Sequence, residues 1–462
     1  MIDIQEVTRD IPHCDTFCSV EKLRTLTEAL RADSRFEVGV AGMSAGGVPI
    51  HHVRFGKGAV KALFVASPHC MEPIGSLTVF SLMTLLQRGH RALTAADVEW
   101  HIVPCIDPDG ALLNEGWTQR KFSLQNFLRN FYLQPYLDQV DTSFQIAHKK
   151  LVFDQPSTEA RVLQGVLDRV QPDFFFSLHN TFAGGAFYLT TRNLGRKYYE
   201  QIYRLLDEQR IPIRAQPQFA EFLAEYSTGI VEIYSMVKHY DFLERTMAFP
   251  EQALQAGASS FDYLAQIKPE ALTFIAEMGY FQHPACGSRK DTGQNLRHFK
   301  LHIDADMKFV AMAVLEEWEK VEGDLDRASP FYRAMKGFAL PTREKVIEGG
   351  MPISRYPTRD TLFNTQYDRA MTEGEKFDAC IVNDGLKLLA FNYQFLRLLA
   401  ASHQTQPVQQ AAARIEQVLA DAFAGIGRHL DLDSIEVFDC DRLTRVQLGS
   451  GLVALNSLLE RA

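Results

Sequence analysis

Ser67-Pro68-His69-Cys70-Met71-Glu72-Pro73-Ile74-Gly75 is the stretch from which this chain is best read. The apolar run before it, Ala62-Leu63-Phe64-Val65-Ala66, reads as a buried strand. Leu77 to Leu86 follows as an apolar helical segment, with Pro73 near its first turn. His69 and Glu72 therefore sit where a central strand hands over to a helix. Three residues apart in a tight turn, an imidazole and a carboxylate point at one ion and supply two of the three ligands of a His-His-Glu zinc site. An HxxE pair on its own is common as a surface or capping pair. Its weight here comes from its placement and from partners further along the chain.

Outward from that turn, strands alternate with helices. Towards the N-terminus, Glu21 to Ala32 has a helical rhythm through Leu23, Leu26 and Leu30, and Phe36 to Val40 alternates like a strand. His51 and His52 lie within a second strand, His51 to Phe55, and are read as structural, since at most one faces a given side. Towards the C-terminus, Val98 to Pro104 is a strand running into Ile106-Asp107-Pro108-Asp109-Gly110, a turn sequence. A polar, basic loop is expected from Trp117 to Tyr136, and a helix from Ser157 to Val170 with Ser157 as N-cap. Asp173 to Leu178 is an apolar strand ending in His179. Gly185 to Leu189 and Ala271 to Gly279 are further strands, the latter carrying Glu277, while Asn193 to Glu208 and Met307 to Val321 read as helices.

This alternation predicts an α/β fold, a mixed, mainly parallel sheet with helices on both faces. Ligands of such sheets gather at the carboxyl ends of strands. His69, His179 and Glu277 each lie at or just past such an end, and that coincidence is the strongest purely physical argument for a site.

At this point the residues resemble the zinc metallocarboxypeptidase family, over roughly residues 20–320. The motifs are His69-Cys70-Met71-Glu72, the turn Asp107-Pro108-Asp109-Gly110 (Asp for the family's Asn), Ser177-Leu178-His179, Ser260-Phe261-Asp262-Tyr263 and a strand ending in Glu277. The resemblance implies an eight-stranded-type sheet and one zinc per chain on His69, Glu72 and His179, with Glu277 as general base. It further implies Arg120 as the arginine that polarises the scissile carbonyl. Arg129 and Asn130 become carboxylate-binding residues and Phe261 a specificity residue in an apolar pocket. The substrate loop departs from the family's D-x-N-R-N-F, reading Asn126-Phe127-Leu128-Arg129-Asn130-Phe131, and Leu254 stands near where the pancreatic branch has a mobile tyrosine. Metal and base are retained while the carboxylate clamp is altered.

Bulk properties narrow the classes. The chain has 462 residues, 46% hydrophobic and 23% charged, with a formal charge of −9, as expected of a globular protein. An acidic balance argues against nucleic acid as a partner. Seven scattered cysteines, at 14, 18, 70, 105, 286, 380 and 440, are no disulfide framework. Met1 to Asp10 lacks the apolar core of a signal peptide, and no apolar stretch of about 20 residues offers a membrane span. A cytoplasmic setting is the expectation.

Two units are expected, a catalytic domain over 1–324 and a mostly helical C-terminal module over 325–462. In the module Leu340 to Phe363 is turn-rich, and Leu386 to Ala401, Val408 to Phe423 and Leu443 to Leu459 read as helices with apolar faces. Those faces are expected to pack on the catalytic domain, to form a homo-oligomer contact, or to narrow the mouth of the site. The functional expectation is a zinc-dependent hydrolase of a C-terminal peptide or related amide bond. Two alternatives stand beside it, an aspartoacylase-like deacylase of small N-acyl amino acids and a non-catalytic binding protein on the same fold. The deacylase branch usually has glycine between His and Glu and no P-D-G turn, so Cys70-Met71 and Pro108-Asp109-Gly110 favour the carboxypeptidase side.

Overall fold

Phe174-Phe175-Phe176 divides its side chains between two cores, Phe174 and Phe176 in one and Phe175 in the other. That division is the two-residue period of a strand buried on both faces. The computed structural model describes residues 1–214, 222–245, 247–254, 256–339, 367–383 and 385–460. The turn-rich stretch from Leu340 to Phe363 lies outside the described residues.

A nine-stranded mixed sheet organises the fold. In chain order its strands are β1 (Phe36–Met43), β2 (Pro49–Phe55), β3 (Val60–Ala66), β4 (Val98–Val103), β5 (Phe174–Leu178), β6 (Phe187–Thr190), β7 (Glu225–Ser227), β8 (Ile230–Glu232) and β9 (Leu272–Glu277). Across the sheet the order is β1-β2-β4-β3-β5-β9-β6-β8-β7. The four central strands β4, β3, β5 and β9 are mutually parallel, whereas β6 runs antiparallel to β9 and β2 antiparallel to β4. Register pairs Ala66 with Leu178 and Ser177 with Ile275, so the last residues of β3, β5 and β9 share one edge of the sheet. His69, His179 and Glu277 are brought to that edge by the pairing alone.

Helices cover both faces. On one lie α1 (Ile74–Gln87) and, from the far end of the chain, α10 (Cys440–Leu459). On the other lie α4 (Thr158–Val170), which Ser157 caps by accepting from the Ala160 N–H at 3.1 Å, and α6 (Ser260–Ile267). Gly451 lets α10 approach the sheet, since a Cβ there would meet the Phe176 ring at 2.1 Å.

The Asp107-Pro108-Asp109-Gly110 sequence opens a helix instead of making a free turn. Asp107 is the N-cap of α2 (Pro108–Thr118), accepting from the Gly110 N–H at 2.9 Å, with Pro108 in the first helical position. The polar stretch after it contains α3 (Leu124–Asn130) within the expected loop. α5 spans Arg196–Gln209 and α8 spans Leu386–Ala401, as their apolar rhythm indicates to within a few residues, whereas α7, Leu296–Val321, and α9, Gln406–His429, run longer than theirs. Residues of α8, α9 and α10 join the same buried core as β3, β5 and β9. No helix among the described residues is long and apolar enough to cross a membrane.

Candidate active site

The turn after β3 begins at Ser67, whose φ of +59° is a conformation L residues rarely adopt and which costs roughly 1–3 kcal/mol. The Glu72 N–H then donates to the His69 carbonyl at 3.1 Å, closing a tight turn that sets the two side chains on one side. Glu72 Oε1 lies 2.9 Å from His69 Nδ1, and Glu72 Oε2 lies 3.0 Å from His179 Nδ1. The Asn180 N–H also donates to Glu72 Oε2, at 3.2 Å. The two imidazoles meet edge to face, with ring centroids 4.9 Å apart. The ligand-type atoms of His69, Glu72 and His179 all lie within 4.8 Å of one another.

The other nitrogen of His179 is also held. Nε2 lies 3.0 Å from Asp141 Oδ2 and 3.0 Å from Ser177 Oγ, and Asp141 Oδ1 accepts from the Ser260 N–H at 3.0 Å. A histidine whose far N–H is bound by a carboxylate has a fixed tautomer and ring angle, the usual support of a metal-ligating imidazole. Burial opposes charge on all three groups, but their mutual attraction prevails. It holds Glu72 and Asp141 down at about 2 and His179 well above its ordinary value. Two ionised carboxylates in a dry setting call for positive charge between them. A divalent cation on the Nδ1 side answers that demand, so the donor set fits a metal ion of the zinc type.

Glu277 ends β9 beside this cluster. Its Oε2 is buried and has no hydrogen-bond partner among the described residues. Burial, then the nearby Glu72 charge, pushes its carboxyl up to about 7, against the pull of His179, His69 and Lys387. Lys387 stands in the first turn of α8, so the C-terminal region brings a positive charge to this edge. Glu72 and His179 are buried while His69 and Glu277 keep partial exposure, which places the opening of the site on the His69–Glu277 side.

The remaining expected residues are arranged differently. Arg120 is exposed in the bend after α2, and no hydrogen bond or ion pair joins it to the cluster. Arg129, at the end of α3, pairs with Glu416 of α9 and lies 5.8 Å over the Tyr393 ring. Asn130 turns its amide back to Asn126, donating to the backbone oxygen at 3.0 Å and to Oδ1 at 2.9 Å. Phe261 is half-buried in the first turn of α6. Cys70 points into the core, donating to Gln134 Oε1 at 2.8 Å, away from the ligand atoms.

Asp141, Gln447, Tyr280 and Lys387 escaped the sequence reading. Gln447 of α10 is buried, its Nε2 2.7 Å from the His179 carbonyl and its Oε1 2.6 Å from Thr78 Oγ1. Tyr280 fastens the HxxE turn from below, donating to the Met71 carbonyl and accepting from Asn180 Nδ2 at 2.7 Å. For Tyr280 a signal existed, an aromatic three residues past the strand-end Glu277. Asp141, Gln447 and Lys387 carried none, because each reaches the site through tertiary packing alone.

No protein-family profile matches the chain, and no curated protein matches it. Among solved structures it is similar to a metallo-carboxypeptidase from Burkholderia cenocepacia, at 15% identity over 57% of this chain and 60% of that one, with a TM-score of 0.34. It is similar at 17% identity to a metallo-carboxypeptidase from Pseudomonas aeruginosa, again over 57% and 60%, with a TM-score of 0.32. A carboxypeptidase A from Helicoverpa armigera aligns at 14% identity over 60% of this chain and 69% of that one, with a TM-score of 0.34.

Proposed function

We propose that this chain is a zinc-dependent hydrolase of a C-terminal peptide bond or a related amide, with His69, Glu72 and His179 as metal ligands and Glu277 as general base. The observation that carries the reading is the meeting, at one sheet edge, of two imidazole Nδ1 atoms on one buried carboxylate, with a second carboxyl beside them whose Oε2 is buried and unpartnered among the described residues. A zinc ion held by two imidazoles and a carboxylate supplies a Lewis acid that acidifies water and polarises a carbonyl oxygen.

The chain's own residues do the rest. Once a metal ion displaces the Nδ1 proton, Asp141 would hold the remaining proton of His179 on Nε2 and leave the Nδ1 lone pair to the ion. Glu277 takes the proton of the attacking water and delivers it to the leaving amine. A carboxyl raised towards 7 is suited to both transfers near neutral pH. The positive charge of Lys387 favours the ionised base and suits an oxyanion that develops at this edge. Neither the deacylase nor the non-catalytic reading gains an observation of its own.

The test is a screen of the zinc-loaded full chain against peptides with free and amidated C-termini, together with Glu277→Gln. Turnover should fall by about 10²–10⁴-fold in the variant while its zinc content stays that of the wild type. Wild-type turnover in Glu277→Gln removes the base from the mechanism. A chain that takes up no zinc on His69, Glu72 and His179 ends the proposal.

A further inference from the structure

Away from the sheet edge, the described residues hold one other cluster with the donors of a metal site, namely His302 and Asp306 of α7 with His429 of α9. Four residues apart on a helix, His302 and Asp306 stand on the same face. α9 packs antiparallel against α7, as Arg414 near its start meets Glu316 at 3.1 Å and Glu317 at 2.9 Å, while His429 at its end meets His302. His429 is the last residue of α9, and its ring stands nearly perpendicular to that of His302, with centroids 5.1 Å apart. Phe299, one turn earlier on α7, packs against the edge of the same His429 ring at 5.2 Å and orients it.

The spacing of these groups is that of a bridged set. His302 Nε2 and Asp306 Oδ2 are 3.9 Å apart, beyond hydrogen-bond length, and donor atoms of all three residues lie within 4.8 Å of one another. Donors about 2.0–2.2 Å from a tetrahedral ion stand roughly 3.4 Å apart, so small side-chain rotations bring the three into coordination. His302 is exposed, which leaves a side open for water as the remaining ligand.

We propose that His302, Asp306 and His429 form a second site for a divalent transition metal of the zinc type, one that pins the end of α9 to α7. Two imidazoles and one carboxylate are a borderline-soft set, suited to zinc, cobalt or nickel and poorly suited to magnesium or calcium. The ion fastens the end of α9 opposite to the Arg414 pairs. Glu416, the partner of Arg129, lies on that same helix.

The experiment counts zinc on the full chain after dialysis against ZnCl2. Wild type should hold one zinc more than His302→Ala/His429→Ala, and Asp306→Asn should lose the same equivalent with little change of shape. The same difference should persist between His69→Ala/Glu72→Gln and that variant with His302→Ala/His429→Ala added, so the result is independent of the first site. In the His69→Ala/Glu72→Gln background, the zinc-induced rise in Tm should disappear when His302→Ala/His429→Ala is added. Equal zinc content with and without His302 and His429, in both backgrounds, overturns the proposal.

Discussion

Gln447, in the last helix of the chain, donates its side-chain N–H to the backbone carbonyl of His179 at 2.7 Å. A weaker contact at 3.4 Å reaches the carbonyl of Ala276, the residue before Glu277, and Thr78 of α1 donates to the other end of the amide. One buried side chain therefore ties the strand ends that carry a ligand and the base to the helix that follows the HxxE turn. Gln447→Leu keeps the volume and removes the donor to the His179 carbonyl in a dry interior, at a cost of about 1–3 kcal/mol. Zinc affinity should weaken as well, by about 10–100-fold. A fall in Tm with unchanged zinc affinity, measured by chelator competition, would reduce Gln447 to a packing residue.

Asp141→Asn tests the support behind His179. The amide can still meet Nε2, but it has no charge to balance the imidazole and presents either a donor or an acceptor. Zinc affinity should drop by about 10–100-fold, with His69 and Glu72 untouched. An unchanged chelator-competition curve would show that the Ser177 contact at 3.0 Å is enough to orient the ring.

The legible part of this molecule was local. An apolar strand that stops at His69, another that stops at His179 and a third that stops at Glu277 announce a site because parallel strands share an edge. The Pro-Asp-Gly sequence misled because Asp107 is a helix N-cap as well as a turn former, and nothing local decides between those uses. Gln447 sat in a helix read only for its apolar face. Arg129 was chemically legible as a carboxylate binder, but the carboxylate it meets belongs to Glu416, far along the chain. Partners so separated are chosen by packing, which no local pattern encodes.

Asp107 provides a pH prediction. Burial pushes its carboxyl up to about 7, against hydrogen bonds from Gly110 and Gln134. Its folded value lies above its unfolded value of about 3.9, so between these limits the folded chain binds the extra proton. Its contribution to stability is therefore greatest below about pH 4 and is lost as pH rises to about 7. Asp107→Asn keeps a capping side chain and removes that loss, stabilising the chain at pH 8 by an amount on the order of a few kcal/mol. Urea midpoints of wild type and variant should separate at pH 8 and converge towards pH 5. Parallel curves would show that the carboxyl is not the source.

Glu416 occupies the guanidinium expected to bind substrate. Arg129 pairs with it across the α3–α9 contact, with both side chains about half exposed, so the pair itself contributes little to stability. A free C-terminal carboxylate reaching Arg129 must compete with Glu416, and the competition weakens ground-state binding without touching the metal or the base. Glu416→Gln removes the competitor's charge. If Arg129 is the clamp, KM for substrates with a free carboxylate should fall by several-fold, while amidated substrates and kcat change little. Arg129→Ala should do the reverse, raising KM for the free-carboxylate series alone. The double variant should match Arg129→Ala, because Glu416 acts only through its partner. If Glu416→Gln shifts free and amidated substrates equally, or the double variant exceeds Arg129→Ala, the pair belongs to the α3–α9 contact and the clamp lies elsewhere at the His69–Glu277 opening.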